Sequence, residues 1–559
     1  MRSATSRSLV AASISASLLT ASALFAQNDA ADGDAIPVSR AGSTEQDYET
    51  LRRLLGLPSP AARGDTHDSS AAPAAVQTPP AIPEAEPVAV PTSAPRAEKP
   101  VPAARPAAPR RAPRSLTRPP SAAKALSAPA IEAAPAPVDS APAPMRMPAE
   151  KGSATSAAAA PQVAVPPVGT VISRSNLEQW KHLLGPSIQW SVERGATLDV
   201  AARKPMPIEP RREQATQRYH AQVRLAANKL SMTNYVAGIP FPLVTKDDPD
   251  LVIKLMFNYE SRLVADDVDL RRSVCDTGGL SAEQGFHIEK HYEPEHFRRL
   301  FYVSRLFHEP MPTWKTVDGV RYREVAGPLS EPFDLKGAGY TYARYLDPAR
   351  QDDSWVYYPS SRRVRRLSTA QRSEGVFGQD IDLDSFAGFA GNPAWTEWKY
   401  LGEKTILAPM HARNVPVKFQ ASPVDYFPDE DWEPREVHVI VGTSLLVGNS
   451  FSRRVLYVDR ESLLIPLVEL YDMNGGLWKG MLQTWTVGDG VVRAAAPVTD
   501  DPPRMASISL FDMQLDHVTR CELPAAAATG ERGWYFNEGD EGGTTEAEFE
   551  VSGMIAKGR

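Results

Sequence analysis

Residues 58–167 set the main limit on what this chain can fold into. They are rich in proline, alanine, valine and serine with scattered charge, as in Ala103–Arg114 (AARPAAPRRAPR), and nearly devoid of large apolar or aromatic side chains. Such a stretch buries too little surface to offset the entropy of ordering it, so it adds nothing to a core. The composition predicts a disordered Pro/Ala-rich linker over 58–170 with extended polyproline II segments. Nearly half of the 51 prolines among the 559 residues lie here. About 390 residues are left to fold, enough for one large or two modest cores. The middle of the linker, Arg96 to Lys124, is basic, which suits either a solvated, self-repelling chain or contact with anionic lipid headgroups or peptidoglycan.

The N-terminus has the layout of an export signal. Arg2 and Arg7 precede an uncharged apolar run from Leu9 to Phe25, which ends at Ala26 before Gln27-Asn28-Asp29. The pattern predicts a cleavable signal peptide over 1–26. The run is short of the ~20 apolar residues that cross a bilayer, and no cysteine stands near the cleavage point to take a lipid. The expected location is the periplasm, with no transmembrane helix in the mature chain. The formal net charge of −7 gives no general attraction to nucleic acid.

Two short segments flank the linker and look alike. Thr44 to Gly56 and Ser173 to Gly185 align on Leu-Leu-Gly, with Tyr48 opposite Leu177 and Leu51 opposite Trp180. Each carries one apolar stripe at helical spacing. Ser175 and Glu178 suit a capping box, and Gly56 and Gly185 suit helix stops. The first copy, within a short segment 27–57, is a candidate docking helix that competes for the groove receiving 175–184 or engages a partner. Chance similarity of two amphipathic helices is the plainer account.

Beyond residue 198 the pattern is that of strands. Alternation marks Tyr219–Leu225, Trp355–Tyr358, Val437–Val441, Val455–Val458 and Ile465–Leu470, with turn dipeptides at Asp318-Gly319, Asn474-Gly475 and Asp489-Gly490. Helices are expected only at 175–184, at 281–300 and in short pieces near 382–400. The expected fold is mainly β within an α+β class. A large curved antiparallel sheet over 171–525 would form an incomplete barrel, partly covered by a few helices, with a flexible tail over 526–559.

Catalytic signatures are missing: there is no Gly-x-Ser-x-Gly elbow, Walker loop or dinucleotide fingerprint. His287 and His291 are spaced to share a metal on a helix, yet Ile288 stands where a zincin has glutamate. Asp380, Asp382 and Asp384 begin like a calcium loop that then lacks its glycine and final glutamate. No metal, no cofactor and no catalytic residue is expected. Cys275 and Cys521 are the only thiols. In an oxidising compartment they are candidates for a disulfide, with two free buried thiols as the alternative. The basic run Arg362–Arg366 is followed by clustered aromatics, a composition that suits an amphiphile with rings against its tail and guanidinium against its head. Candidate ligand-binding residues are Tyr235, Phe241, Trp355, Tyr357, Arg363, Arg365, Phe386, Phe389, Trp395 and Trp398. The plain alternative is that these rings fill a core and the arginines face water.

Several ordered motifs carry a resemblance. Asn234–Pro242 (NYVAGIPFP), Tyr342–Pro348 with Asp352–Tyr358 and Arg362–Leu367, Gly388–Pro393 with Glu397-Trp398 and Leu401–Lys404, and Arg454–Asp459 with Leu470–Asp472 and Gly476–Lys479 follow one another between about 174 and 490. They resemble a proteobacterial periplasmic family labelled outer-membrane lipoprotein-sorting-like. The resemblance implies a fold related to the Lol lipoprotein carriers, an incomplete barrel with a concave apolar face. It also implies a role beside resistance-nodulation-division type exporters. It supplies no catalytic residue.

The expected function is therefore non-enzymatic: a periplasmic binding, carrier or exporter-accessory protein for lipids or other hydrophobic molecules. The alternative is a structural envelope adaptor that recruits a membrane complex through its tether and N-terminal helix, with no small ligand. The carrier reading calls for an apolar hollow of roughly several hundred Å3.

Overall fold

A computed structural model describes residues 45–57, 163–206, 208–262, 265–316, 318–487, 502–525, 533–542 and 544–558. The expected signal peptide, nearly all of the expected linker and the expected Asp489-Gly490 turn lie outside these residues. Those described belong to one compact unit.

The chain is mostly β. Its larger sheet runs, in spatial order, Val171–Ile172, Leu198–Val200, Asp431–Ser444, Arg453–Asp459, Leu467–Tyr471, Leu477–Thr486, Arg504–Asp512, His517–Glu522, Val274–Ser281, Gly285–Pro294 and Leu329–Glu331, and Thr396–Ala408 also pairs with Asp431–Ser444. The second sheet runs Arg363–Arg366, Asp353–Tyr358, Gly339–Tyr345, Val320–Ala326, His296–Phe301, Asp267–Arg271 and Trp534–Phe536. Pairing is antiparallel except where Leu198–Val200 meets Asp431–Ser444. The chain passes repeatedly from sheet to sheet, as where Asp267–Arg271 runs into Val274–Ser281 and Gly285–Pro294 into His296–Phe301. Neither sheet closes into a barrel.

Strands at the centre of the larger sheet, such as Leu467–Tyr471 and Arg504–Asp512, are buried along their whole length. Both faces must therefore be covered. On one face lie three helical pieces: α1 (Glu45–Leu54), α2 (Leu177–Trp180) and α3 (Pro186–Glu193). Gly480 lets α3 approach, because a Cβ there would stand 2.1 Å from Cβ of Ser187. On the opposite face, Asp380 takes hydrogen bonds from Thr519 Oγ1 at 2.8 Å and pairs with His517 Nδ1 at 2.7 Å. That contact ties the turns around 374–391 to the sheet. The other α-helices among the described residues are α4 (Pro210–Tyr219), α5 (Leu251–Glu260) and α6 (Val551–Lys557).

α1 buries Tyr48 and Leu51 in the main core, as does Leu55 just after it, and leaves Leu54 66% exposed. It ends at Gly56, whose φ of 65° suits a left-handed stop. It sits on Thr396–Ala408, where Lys404 Nζ donates to the Leu55 carbonyl at 2.6 Å and Lys399 pairs with Glu45. The second copy packs on the same strand through Lys181–Leu183, and the backbone N–H of Ser187 just beyond it donates to Glu469 at 3.1 Å. Both copies are seated on this face at once.

Four local expectations give way. Residues 285–301 form strands where a helix is expected, because their charges are satisfied across the sheet: His291 pairs with Asp276 at 2.6 Å and His296 with Asp269 at 3.0 Å. Tyr219 closes α4, which Glu209 caps by accepting from the N–H groups of Arg211 and Arg212, so only Arg224–Leu225 of the expected strand forms. Asn176, not Ser175, stands at the start of α2 with no capping box, and Gly185 is the extended residue that opens α3. Where the pattern suggests a C-terminal tail, Trp534–Phe536 pairs with Asp267–Arg271 and Phe549 is buried under the second sheet. Cys275 and Cys521 face each other across antiparallel strands and are disulfide-bonded.

Candidate ligand-binding cleft

Where a hollow is expected, the described residues are packed. The space between the helices and the larger sheet is packed by Tyr426, Phe427, Trp432, Tyr457, Trp485 and Phe511, all essentially fully buried. Phe427 stacks on Trp432 at 5.7 Å and on Phe511 at 6.0 Å.

A smaller, charged cleft lies elsewhere, between α5, the turn 386–391 and the second sheet. It has about 40 Å3 of space, against the roughly 10–15 Å3 that one water needs. Its walls carry Arg262, Arg299, Arg321 and Arg344, with Tyr322, Phe301 and the rings of Phe386 and Phe389. Each arginine comes from a different element: Arg262 follows α5, and the others project from three neighbouring strands.

The turn that brings the two phenylalanines is clamped twice. The Tyr259 hydroxyl lies 2.7 Å from the Ala387 carbonyl and 2.8 Å from that of Phe389. Arg344 Nη1 donates to the Ala390 carbonyl at 2.7 Å. Between these clamps Ala387 has a φ of 54°, a left-handed conformation that costs a non-glycine residue about 1 kcal/mol or more.

Three of the four guanidinium groups are neutralised. Arg299 pairs with Glu324, donating from Nε at 2.8 Å. Arg321 meets Glu260 at 2.6 Å. Arg344 pairs with Asp352 at 2.7 Å, and Arg372 behind it meets Asp352 at 2.9 Å and Asp384 at 2.7 Å. Burial opposes the Arg299 and Arg344 charges, but Glu324 and Asp352 more than offset it and hold both above the usual arginine value. Arg262 is different. It is 8% exposed, lies 3.7 Å over the Tyr259 ring and donates Nη1 to the Tyr259 carbonyl at 2.7 Å. Its Nε and Nη2 are buried without a hydrogen-bond partner. Burial, with the like charge of Arg299 adding to it, pushes this guanidinium below its usual value.

Of the ten candidate residues, Phe386 and Phe389 line the cleft and two more stand behind it. Trp398 packs edge-on against Phe389 at 5.0 Å, and the Trp395 ring lies 5.4 Å from the Arg344 guanidinium. Tyr235 and Phe241 pin the 235–241 loop instead. The Tyr235 hydroxyl donates to Gly238, and the Phe241 backbone is bracketed by Asn258 of α5. Trp355 and Tyr357 lie one strand in from the edge of the second sheet, and Arg363 and Arg365 are exposed on the edge strand itself. The cleft arginines and Tyr259 escaped the sequence pattern. One usable signal was Arg344, which shares strand parity with the buried Tyr342 and so had to point inward.

Among the described residues, no three His, Cys, Asp or Glu side chains cluster as a metal site. Asp380 and Asp384 turn to different partners, His517 and Arg372. No helix among the described residues is long and apolar enough to cross a membrane.

No curated protein matches the chain. Among solved structures, a domain from Vibrio parahaemolyticus described as outer membrane lipoprotein-sorting aligns at 12% identity and a TM-score of 0.36, covering 54% of this chain and 98% of that one. A DUF1329 family protein from Desulfovibrio piger aligns at 14% identity and a TM-score of 0.36, covering 54% and 96%. A LolA superfamily protein from Nitrosomonas europaea aligns at 14% identity and a TM-score of 0.28, covering 47% and 86%. The family model described as protein of unknown function (DUF1329) matches residues 171–550, a span that contains every motif of the resemblance noted above. The chain belongs to the DUF1329 family.

Proposed function

We propose that this chain is an exported, non-enzymatic binding protein that handles hydrophobic or amphiphilic molecules at the cleft between α5 and the second sheet. The observation that carries the reading is the cleft's lining, where aromatic rings stand beside arginines in a recess with room for more than one water. The packed interior argues against swallowing a guest whole, so the ligand is gripped at one end. The relation to Lol-type carriers, the periplasmic location and a membrane exporter as partner belong to the same proposal. The test is native mass spectrometry with solvent extraction of full-length protein purified from the periplasm of an expressing Gram-negative cell. A co-purifying amphiphile displaced by substitutions at Phe386 and Phe389 is expected. A protein that emerges empty and binds no amphiphile on titration overturns the reading.

A structural adaptor is the second reading, and the packed core favours it. On that account α1 and the linker recruit a membrane complex, and deletion of 45–57 abolishes the recruitment without affecting any small ligand.

A further inference from the structure

We infer that the cleft is a receptor for an acidic group, a carboxylate or a phosphate, and that Arg262 is the residue that receives it. This rests on the reading of the cleft as a ligand site and adds the ligand's chemistry.

The argument is one of charge and hydrogen-bond accounting. Every other arginine on the cleft wall has a carboxylate in contact: Arg299 has Glu324, Arg321 has Glu260 and Arg344 has Asp352. Arg262 has none, and the charged group nearest to it in effect is another arginine, Arg299. It is more than nine-tenths buried. Burying a cation without a partner is costly, as is leaving donors unmet. Native structures keep such groups only for a reason, commonly an ion or ligand.

The two unmet donors, Nε and Nη2, lie on the same edge of the guanidinium. That edge is a fork whose parallel N–H bonds match two oxygens of a carboxylate or phosphate. The third nitrogen is already spent on the Tyr259 carbonyl, which fixes the orientation of the fork. The Tyr259 hydroxyl in turn holds the Phe386–Gly388 turn, so one residue positions both the cationic and the aromatic walls. The cleft's space of about 40 Å3 suits a headgroup and a few waters, not a whole lipid. Phe386 and Phe389 are placed to meet the first carbons of a chain attached to it.

The experiment titrates full-length protein by calorimetry with decanoate, decyl phosphate, decanol and inorganic phosphate, in wild type, Arg262→Met and Arg262→Lys. The expected result is that decanoate or decyl phosphate binds, decanol does not, and Arg262→Met weakens binding about 10- to 100-fold. Arg262→Lys keeps a charge but not the fork, and recovers only part of the loss. The unliganded melting temperature of Arg262→Met stays at or above that of wild type, because the substitution removes an uncompensated buried charge.

Equal binding of decanol and decanoate, untouched by Arg262→Met, overturns the acidic-group inference and leaves the broader reading standing. Inorganic phosphate binding as tightly as decyl phosphate, and through Arg262, sustains the acid receptor and overturns the amphiphile reading. Failure of every probe overturns both. A marked fall in the unliganded melting temperature of Arg262→Met assigns Arg262 a structural role and ends the inference. Should that variant not fold, the preference of wild type for decanoate over decanol decides alone.

Discussion

Replacement of Glu469 by glutamine should stabilise the protein at alkaline pH and leave it unchanged in acid. Glu469 is fully buried in the larger sheet beneath the start of α3. It accepts from the Ser187 N–H at 3.1 Å and from the Tyr457 hydroxyl at 3.1 Å. Burial outweighs these contacts and the Lys404 charge, and raises the carboxyl to about 7. A folded value above the unfolded one means that the neutral acid supports the fold. That contribution is complete below about pH 4.5 and is lost as pH rises through about 7. The raised value corresponds to about 3 kcal/mol at high pH. Glutamine preserves the shape and an acceptor for Ser187 and cannot ionise. It also withdraws support from Lys404, whose ammonium burial already lowers to about 8, so the net gain near pH 8 should be about 2–3 kcal/mol. Urea unfolding followed by tryptophan fluorescence, repeated between about pH 4.5 and 8, measures the difference. A gap between variant and wild type that stays flat with pH, or widens toward acid, refutes the reasoning.

Three other perturbations have definite outcomes. Leu51→Ala should weaken α1 docking by about 2–5 kcal/mol, since Leu51 is fully buried, and hydrogen exchange should show 45–57 losing protection before the sheets do. Loss of the Cys275–Cys521 bond by Cys→Ala replacement at both positions should cost about 2–5 kcal/mol in thermal or urea unfolding, because it spans 246 residues of sequence. Asp352→Asn should cost about 3–5 kcal/mol in the same assay, because Asp352 neutralises both Arg344 and Arg372 in a buried setting.

Strands were legible wherever apolar residues alternate or run together: Val437–Val441, Val455–Val458 and Ile465–Leu470 all fall within strands of the larger sheet, apart from two lead-in residues before Leu467. The Asn474-Gly475 turn joins two of its neighbours as written. The segment 285–301 was not legible, because its dense histidines and charges read as a solvated helix when no cross-strand partner is known. Only the fold supplies Asp276 and Asp269 as those partners. The site divides in the same way. Phe386, Phe389, Trp395 and Trp398 lie close in sequence and converge in space. The arginines that matter sit at 262, 299, 321 and 344, on four elements whose adjacency is set by sheet order and not by spacing. Arg363 and Arg365 drew notice by density alone, yet they occupy an edge strand, where charge discourages pairing with another chain.

The filled interior also limits how this protein can hold a chain-bearing ligand. An antiparallel sheet needs its apolar face covered, and in an open carrier the guest supplies part of that cover. Here α1, α2 and α3 do so with the chain's own residues, among them Leu51, Leu177, Ile188 and Val192. Burying one methylene contributes about 0.8 kcal/mol, close to a fourfold gain in affinity. For a series of acids of increasing length, the first few methylenes should therefore add affinity as they reach Phe386 and Phe389, and later ones should add almost nothing because they remain in water. Calorimetry on butyrate through dodecanoate gives the profile, and a plateau is expected. An unbroken rise to the longest chain would mean that α1 or its neighbours leave the sheet to admit the tail, and the packed core would then be only the closed form of a cavity.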